Sequence, residues 1–220
     1  MNIRNTGITG VARALFAFTA VCTAAAVQAQ PVISEVLYDA AGTDNGTVFV
    51  ELFGTPGTLL DGMLLEGVNG TDGNVYRSVL LAGIIPLDGI FVIGDDSGDG
   101  TSLVQQSDLV ADVDFQNGPD SIVLRGSEGV LDALGYGDFS TASFAGEGSA
   151  APDAASGQSL ARFNPLLDSD NNLADFTLLD VPTPGAVPVS AVPVPPAVLL
   201  FLSGIAGLAG VARRSSRAAL

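Results

Sequence analysis

The stretch from Thr47 to Phe53, with the sequence TVFVELF, decides the fold class. Val48, Val50 and Leu52 occupy alternate positions, and alternate side chains of an extended strand point to the same face of a sheet. A similar strand-like segment, residues 32–38, comes shortly before it. These segments predict neighbouring β-strands that turn one face towards a core.

Strand-like segments of this kind recur at short intervals through the middle of the chain. Turn dipeptides such as Asn45-Gly46, Asp61-Gly62 and Asn69-Gly70 separate them and favour tight hairpins. Gly and Pro occur too often for an amphipathic helix of ten or more residues. The pattern predicts an all-β sandwich. The predicted strands are Val32–Tyr38, Thr47–Phe53, Met63–Val68, Asn74–Leu81, Ile90–Ile93, Asp120–Leu124, Val130–Leu134, Gln158–Phe163 and Phe176–Leu179.

The amino-acid composition excludes several classes of chemistry. The 220 residues include no His and no Lys, and Cys22 is the only cysteine. These absences exclude the Ser-His-Asp triad, His-ligated metals, Lys Schiff bases and internal disulfides. The net charge of −16 argues against a nucleic-acid partner, because phosphate contacts need basic side chains.

Residues 1–29 have the features of a secretory signal peptide. Arg4 and Arg13 make its beginning positive, and the apolar stretch Ala14–Val27 follows. Small residues precede a predicted signal-peptidase cleavage between Ala29 and Gln30. The alternative is a membrane-spanning helix, but this stretch would rise only ~21 Å across a hydrocarbon core of about 30 Å.

A second apolar segment, residues 197–212, lies near the C-terminus. A Pro-rich spacer over residues 181–196 precedes it, and a basic tail over residues 213–220 follows it. We expect the apolar segment to form a transmembrane helix. Because basic residues stay on the cytoplasmic side, residues 30–180 are expected outside the inner membrane. Such a helix has two interpretations, a plain membrane anchor or part of a sorting signal.

This C-terminal arrangement resembles the PEP-CTERM class of sorting signals, in the variant with Val-Pro-x-Pro. Pro196 departs from the variant, which usually has Ala at that position. The resemblance implies export by a Gram-negative bacterium and sorting by an exosortase to the outer surface or an exopolysaccharide-rich matrix. The residues that carry the motif are Val192, Pro193, Val194, Pro195, Arg213 and Arg214.

The region from residue 30 to residue 180 resembles a lamin-tail domain. The resemblance implies an immunoglobulin-like β-sandwich that acts as a binding or structural module rather than an enzyme. Met63 replaces the usual Trp and Gly54 the usual Asn, so ligand sites of the family are not assumed here. The matching segments, in order, are Ile33–Asp39 (ISEVLYD), Phe49–Phe53 (FVELF), Asp61–Leu65 (DGMLL), Ile85–Ile93 (IPLDGIFVI), Asp120–Leu134 (DSIVLRGSEGVLDAL), Gln158–Arg162 (QSLAR), Asp168–Phe176 (DSDNNLADF) and Pro182–Ala186 (PTPGA).

Two Asp-rich loops are candidate calcium sites, because Ca²⁺ takes six to eight oxygen ligands. The second loop begins with the D-x-D-x-N pattern of a calcium loop but has Leu173 where that pattern needs Gly. The alternative is that these carboxylates form solvated turns. The candidate ligands are Asp95, Asp96 and Asp99 in the first loop and Asp168, Asp170, Asn172 and Asp175 in the second.

Glu35 and Glu51 lie on neighbouring predicted strands and form the best candidate for catalytic carboxylates. The alternative is that each hydrogen-bonds a loop or an arginine such as Arg162. Three functions therefore remain open. The first is a non-enzymatic surface module that binds extracellular polysaccharide or another surface protein. The second is a calcium-dependent adhesin, and the third is a secreted hydrolase.

Overall fold

A computed structural model describes residues 30–140 and 143–186. The predicted signal peptide (1–29), most of the spacer (187–196), the apolar segment (197–212) and the basic tail lie outside these residues, and so does the whole sorting motif. Ala29 also lies outside them, whereas Gln30 is the first described residue. No helix within the described ranges is long and apolar enough to cross a membrane.

The described residues form ten strands and one helical turn. Every predicted strand is present, with bounds that differ by at most two residues at an end. The sequence missed one strand, β6, because three half-buried residues show no alternation. The elements are β1 Val32–Leu37, β2 Phe49–Phe53, β3 Leu64–Asn69, β4 Val75–Leu80, β5 Ile90–Asp95, β6 Leu109–Ala111, β7 Asp120–Gly126, β8 Gly129–Tyr136, β9 Ser159–Arg162, α1 Asn172–Asp175 and β10 Phe176–Leu179.

The strands form two sheets, which confirms the all-β prediction. The first sheet has six strands in the order β10-β9-β1-β2-β5-β6, and the second has four in the order β4-β3-β7-β8. Neighbouring strands are antiparallel except β5 and β6, which are parallel. The N-terminal strand β1 therefore lies between β2 and the late strand β9.

The main hydrophobic core contains residues of both sheets. Val50 and Leu52 contribute from the six-stranded sheet, and Ile122 and Leu134 contribute from the four-stranded sheet. Burial of such side chains is the main favourable contribution to folding. The predicted inward alternation holds for Val50 and Leu52, whereas Val48 precedes the strand and packs in a separate cluster.

The six-stranded sheet buries its outer face as well. Leu37, Phe49, Phe53 and Val92 form a second buried cluster there. Each of them is offset by one position along its strand from a residue of the main core, and neighbouring side chains of a strand point to opposite faces. The outer face is therefore a covered surface, and two glutamates lie within it.

Candidate functional site

Arg162 at the end of β9 is the centre of a buried charge cluster. Its Nη2 donates to both oxygens of Asp132 on β8 at 2.9 Å. Its Nη1 donates to Asp168 at 3.0 Å and to Asp175 at 3.1 Å. The side chains of Arg162 and Asp132 have no solvent exposure. We call these four residues the arginine cluster.

The arginine cluster also ties the two sheets together. Arg162 Nε donates to the carbonyl of Ile33 on β1, and the Ile33 amide donates to Asp132 on β8. The guanidinium lies 4.7 Å from the ring centre of Phe176, within the range of a cation–π contact. Because Ile33 and Asp132 lie on different sheets, breaking this pair loosens the junction between the sheets.

The carboxylates around Arg162 respond differently to their surroundings. Burial raises the pKa of Asp132, although the positive charge of Arg162 opposes the rise. Burial acts in the same direction on Asp175, but hydrogen bonds from Ser169 and the charge of Arg162 together lower its pKa. Asp175 therefore stays ionised beside the arginine.

The predicted ligands of the second Asp-rich loop do not converge on one point but make different contacts. Asp168 and Asp175 bind Arg162. Asn172 is fully buried, and its side-chain oxygen accepts hydrogen bonds from the amides of Gly135 and Glu147. Asp170 is exposed, with a positive φ of 51°. Asp168, Asn172 and Asp175 thus support the chain around Arg162, whereas Asp170 faces solvent.

A different set of carboxylates comes together beside this loop. Oxygens of Asp132, Glu147 and Asp168 lie within 4.8 Å of one another. Burial, followed by repulsion from Asp132 and Asp168, raises the pKa of Glu147 to about 8. Its Oε2 is buried and has no hydrogen-bond partner among the described residues. We call these three residues the carboxylate trio; a divalent cation could bind there.

The first Asp-rich loop uses its carboxylates to hold main-chain amides. Asp95 is buried and accepts from Gly46 and Val113 at 2.8 and 3.1 Å. Asp96 accepts from the amides of residues 98 and 100, both at 2.8 Å. Asp99 accepts from the amide and hydroxyl of residue 101. These contacts are typical of turns in which Asp replaces a main-chain acceptor.

Glu35 and Glu51 are cross-strand partners on β1 and β2, as the sequence predicted, and each is under 3% exposed. Both lie on the outer face of the six-stranded sheet. The segment Val181–Ala186, which we call the strap, crosses over them. Thr183 donates its amide and hydroxyl to Glu35 at 2.8 and 2.7 Å, and Gly185 donates its amide to Glu51 at 2.8 Å.

Serine hydroxyls complete the surroundings of the two glutamates. Ser159 donates to Glu35 at 2.6 Å, and Ser34 donates to Glu51 at 2.7 Å. Burial raises the pKa of Glu51 to about 7, with a smaller contribution from the nearby charge of Glu35. The glutamates hydrogen-bond a loop, as the non-catalytic alternative predicted, and a hydrolase mechanism would require the strap to move. Arg162 binds other carboxylates.

A shallow groove of about 340 Å³ lies beside the strap. The apolar side chains of Leu37, Phe49 and Val104 line it together with Pro182 and Pro184 of the strap. The strap therefore contributes part of the groove's lining.

No protein-family model, curated protein or solved structure matches the chain.

The sequence pointed to Glu35, Glu51 and the Asp-rich loops but missed Asp132 and Glu147. Asp132 follows the alternation of β8, and nothing in its neighbours in sequence indicates that Arg162 lies opposite. Glu147 lies in a stretch of small residues with no periodic pattern.

Proposed function

We propose that this chain is an exported, non-enzymatic module of a bacterial surface or extracellular matrix. Residues 30–180 form a lamin-tail-like, immunoglobulin-like domain that binds extracellular polysaccharide or another surface protein. Signal peptidase removes residues 1–29, and an exosortase recognises the motif at residues 192–195. Before sorting, the C-terminal helix holds the domain on the periplasmic side of the inner membrane of a Gram-negative bacterium.

One observation carries the non-enzymatic part of this proposal. The four most deeply buried carboxylates among the described residues, Glu35, Glu51, Asp95 and Asp132, all accept hydrogen bonds from donors of their own chain. Catalytic carboxylates must instead reach a substrate within hydrogen-bond distance. The export part is supported by the two apolar ends, the arginines after the second of them and the Val-Pro motif.

The test of export uses a Gram-negative host that has an exosortase and a matched strain without it. An epitope inserted after Gln30 allows the mature chain to be detected. We expect the tagged protein to be shorter than its precursor. We also expect protease added to intact cells to digest it. The variant Pro193→Ala/Pro195→Ala should stay in the inner membrane, whereas Pro188→Ala, outside the motif, should be sorted normally.

Two results would contradict the export proposal. The first is full-length protein in the cytosolic fraction. The second is the same surface exposure with and without the exosortase, which would identify residues 197–212 as a plain anchor.

The second candidate function is that of a calcium-dependent adhesin, and the carboxylate trio favours it. Three carboxylates within 4.8 Å of one another repel, and Arg162 hydrogen-bonds only Asp132 and Asp168 among them. A cation that displaced the proton of Glu147 would relieve this repulsion. A ligand that binds only the folded state raises its melting temperature.

Thermal melting of the purified chain with and without millimolar Ca²⁺ tests this candidate. We expect a rise of several degrees that excess chelator reverses. Glu147→Gln should abolish the rise without removing a partner of Arg162, whereas Asp96→Asn in the first Asp-rich loop should leave it intact. If calcium does not change the melting temperature, the adhesin candidate fails.

A further inference from the structure

The strap is a small reverse turn that carries its own recognition groups. The Ala186 amide donates to the Thr183 carbonyl at 3.0 Å, which closes a four-residue turn. Pro184 and Gly185 occupy its two central positions, and Gly185 has a φ of 78°. A type II turn favours Pro and then Gly at these positions, because the second needs a positive φ. The sequence Thr-Pro-Gly therefore preorganises the strap.

Glu35 and Glu51 bind this turn in a residue-specific way. Within residues 30–140 and 143–186, five hydrogen bonds reach the two carboxylates, and the strap donates three of them. Thr183 engages both oxygens of Glu35, which requires a hydroxyl side chain. A side chain at Gly185 would come within 3.1 Å of Gln106, so the site also selects glycine there. The glutamate pair thus has the specificity of a peptide-binding site.

The strap is also separable from the sheets. Its Val181 is 73% exposed, and residues 181–186 belong to no strand. In the part of the chain that the structure describes, the strap makes one hydrogen bond between main-chain groups. It joins Ala186 and Thr183 and therefore lies within the turn. Releasing the strap therefore breaks no strand pairing, but it removes three donors from two buried carboxyl groups. An identical segment would restore the same contacts.

We propose that the Glu35–Glu51 pair is a binding site for a Thr-Pro-Gly turn, which the strap of a second copy of this chain can occupy in exchange. The exchanged contacts are the same as those within one chain. The equilibrium between the exchanged and the unexchanged strap therefore depends on two concentrations. These are the local concentration of chains and the effective concentration of the chain's own strap. Exchange of an identical element is a low-cost route to association. This proposal does not depend on where the chain is located.

The test uses two full-length chains, both with Cys22→Ser, in detergent micelles. The acceptor carries Thr183→Val and Gly185→Pro, which remove two of the three strap donors and the turn, and it is labelled with ¹⁵N. The donor carries Glu35→Leu and Glu51→Leu, which remove its own site, and a nitroxide on Val181→Cys. We expect the donor to cause a selective loss of acceptor amide signals at Ser34, Gln105 and Gln106.

Two controls make the result decisive. An acceptor that retains its own strap should lose less signal, because that strap competes. An acceptor that also carries Glu35→Leu and Glu51→Leu should lose none selectively. Absence of a selective loss in the first acceptor, or an equal loss in the last one, would overturn the proposal. If the donor does not fold, a nitroxide-labelled peptide of residues 178–186 with Val181→Cys replaces it.

Discussion

The arginine cluster and the glutamate pair bury carboxylates in opposite ways. Asp132 is fully buried against a guanidinium that meets both of its oxygens. Glu35 and Glu51 are almost as deeply buried, but their hydrogen-bond donors are neutral hydroxyls and amides. One site balances charge with charge, and the other surrounds two neighbouring carboxyl groups with neutral donors.

The difference shows how a strongly acidic domain buries carboxyl groups with few basic side chains. Residues 30–186 contain all 24 acidic residues but only three of the eight arginines. One of these arginines is fully buried at the junction of the two sheets. At the glutamate pair, a raised pKa of Glu51 takes the place of a cation. Replacement of Arg162 in the arginine cluster should therefore lower the free energy of unfolding. The contribution of the glutamate pair to that free energy should change with pH.

The largest effect is expected from Arg162→Met. It leaves Asp132 buried without its partner, and breaking a buried ion pair in this way costs about 3–5 kcal/mol. Denaturant unfolding of the purified chain measures the loss. The matched control is Arg125→Met, because the Arg125–Glu66 pair is partly exposed and such pairs contribute about 0–1 kcal/mol. Equal losses in the two variants would show that burial of Arg162 has no special energetic role.

The next effect is a dependence of stability on pH. The folded-state pKa of Glu51 is about 7 and its ordinary value is 4.5, so the folded state holds this proton more tightly. Its contribution is fully present below pH 4.5 and is lost as the pH rises through 7, by about 3 kcal/mol at one pKa unit per 1.36 kcal/mol. Glu51→Gln should flatten the curve of unfolding free energy between pH 5 and 8. An unchanged slope in that variant would assign the dependence to another group, such as Glu147.

The smallest of the three effects compares two threonine hydroxyls. Thr183 donates to buried Glu35 at 2.7 Å, and Thr101 donates to exposed Asp99 at 2.6 Å. Thr183→Val should cost about 1–3 kcal/mol, because a buried carboxyl group loses a hydrogen-bond donor. Thr101→Val should cost much less, since water replaces the hydroxyl beside the exposed Asp99. Comparable losses in the two variants would mean that the strap does not shield Glu35 from solvent.

The sequence predicted the fold better than it predicted the sites. Alternation and turn dipeptides located nine strands because both are local signals. β6 has only three half-buried residues and pairs in parallel with β5, and a local pattern does not contain that pairing. The adjacency of Glu35 and Glu51 followed from neighbouring strands. The strap over them did not, because Thr183 lies 148 residues beyond Glu35.

The two Asp-rich loops illustrate the same limit. The spacing of Asp168, Asp170 and Asn172 is compatible with a calcium loop, but spacing alone does not show which oxygens are already engaged. Asp168 binds Arg162, and Asn172 holds the amides of β8 and the following loop. A carboxylate in an Asp-rich turn that accepts amides has the same sequence signature as one that binds a metal.

The position of β1 between β2 and β9 has a consequence for the order of folding. The chain is synthesised from its N-terminus, so one edge of β1 has no partner until residue 162 has been made. The Ile33–Arg162 hydrogen bond joins residues 129 apart, and contacts of such long range slow folding. An unpaired strand edge invites pairing with other chains. A chaperone that covers β1 during synthesis would protect this chain at the stage when it is most prone to aggregate.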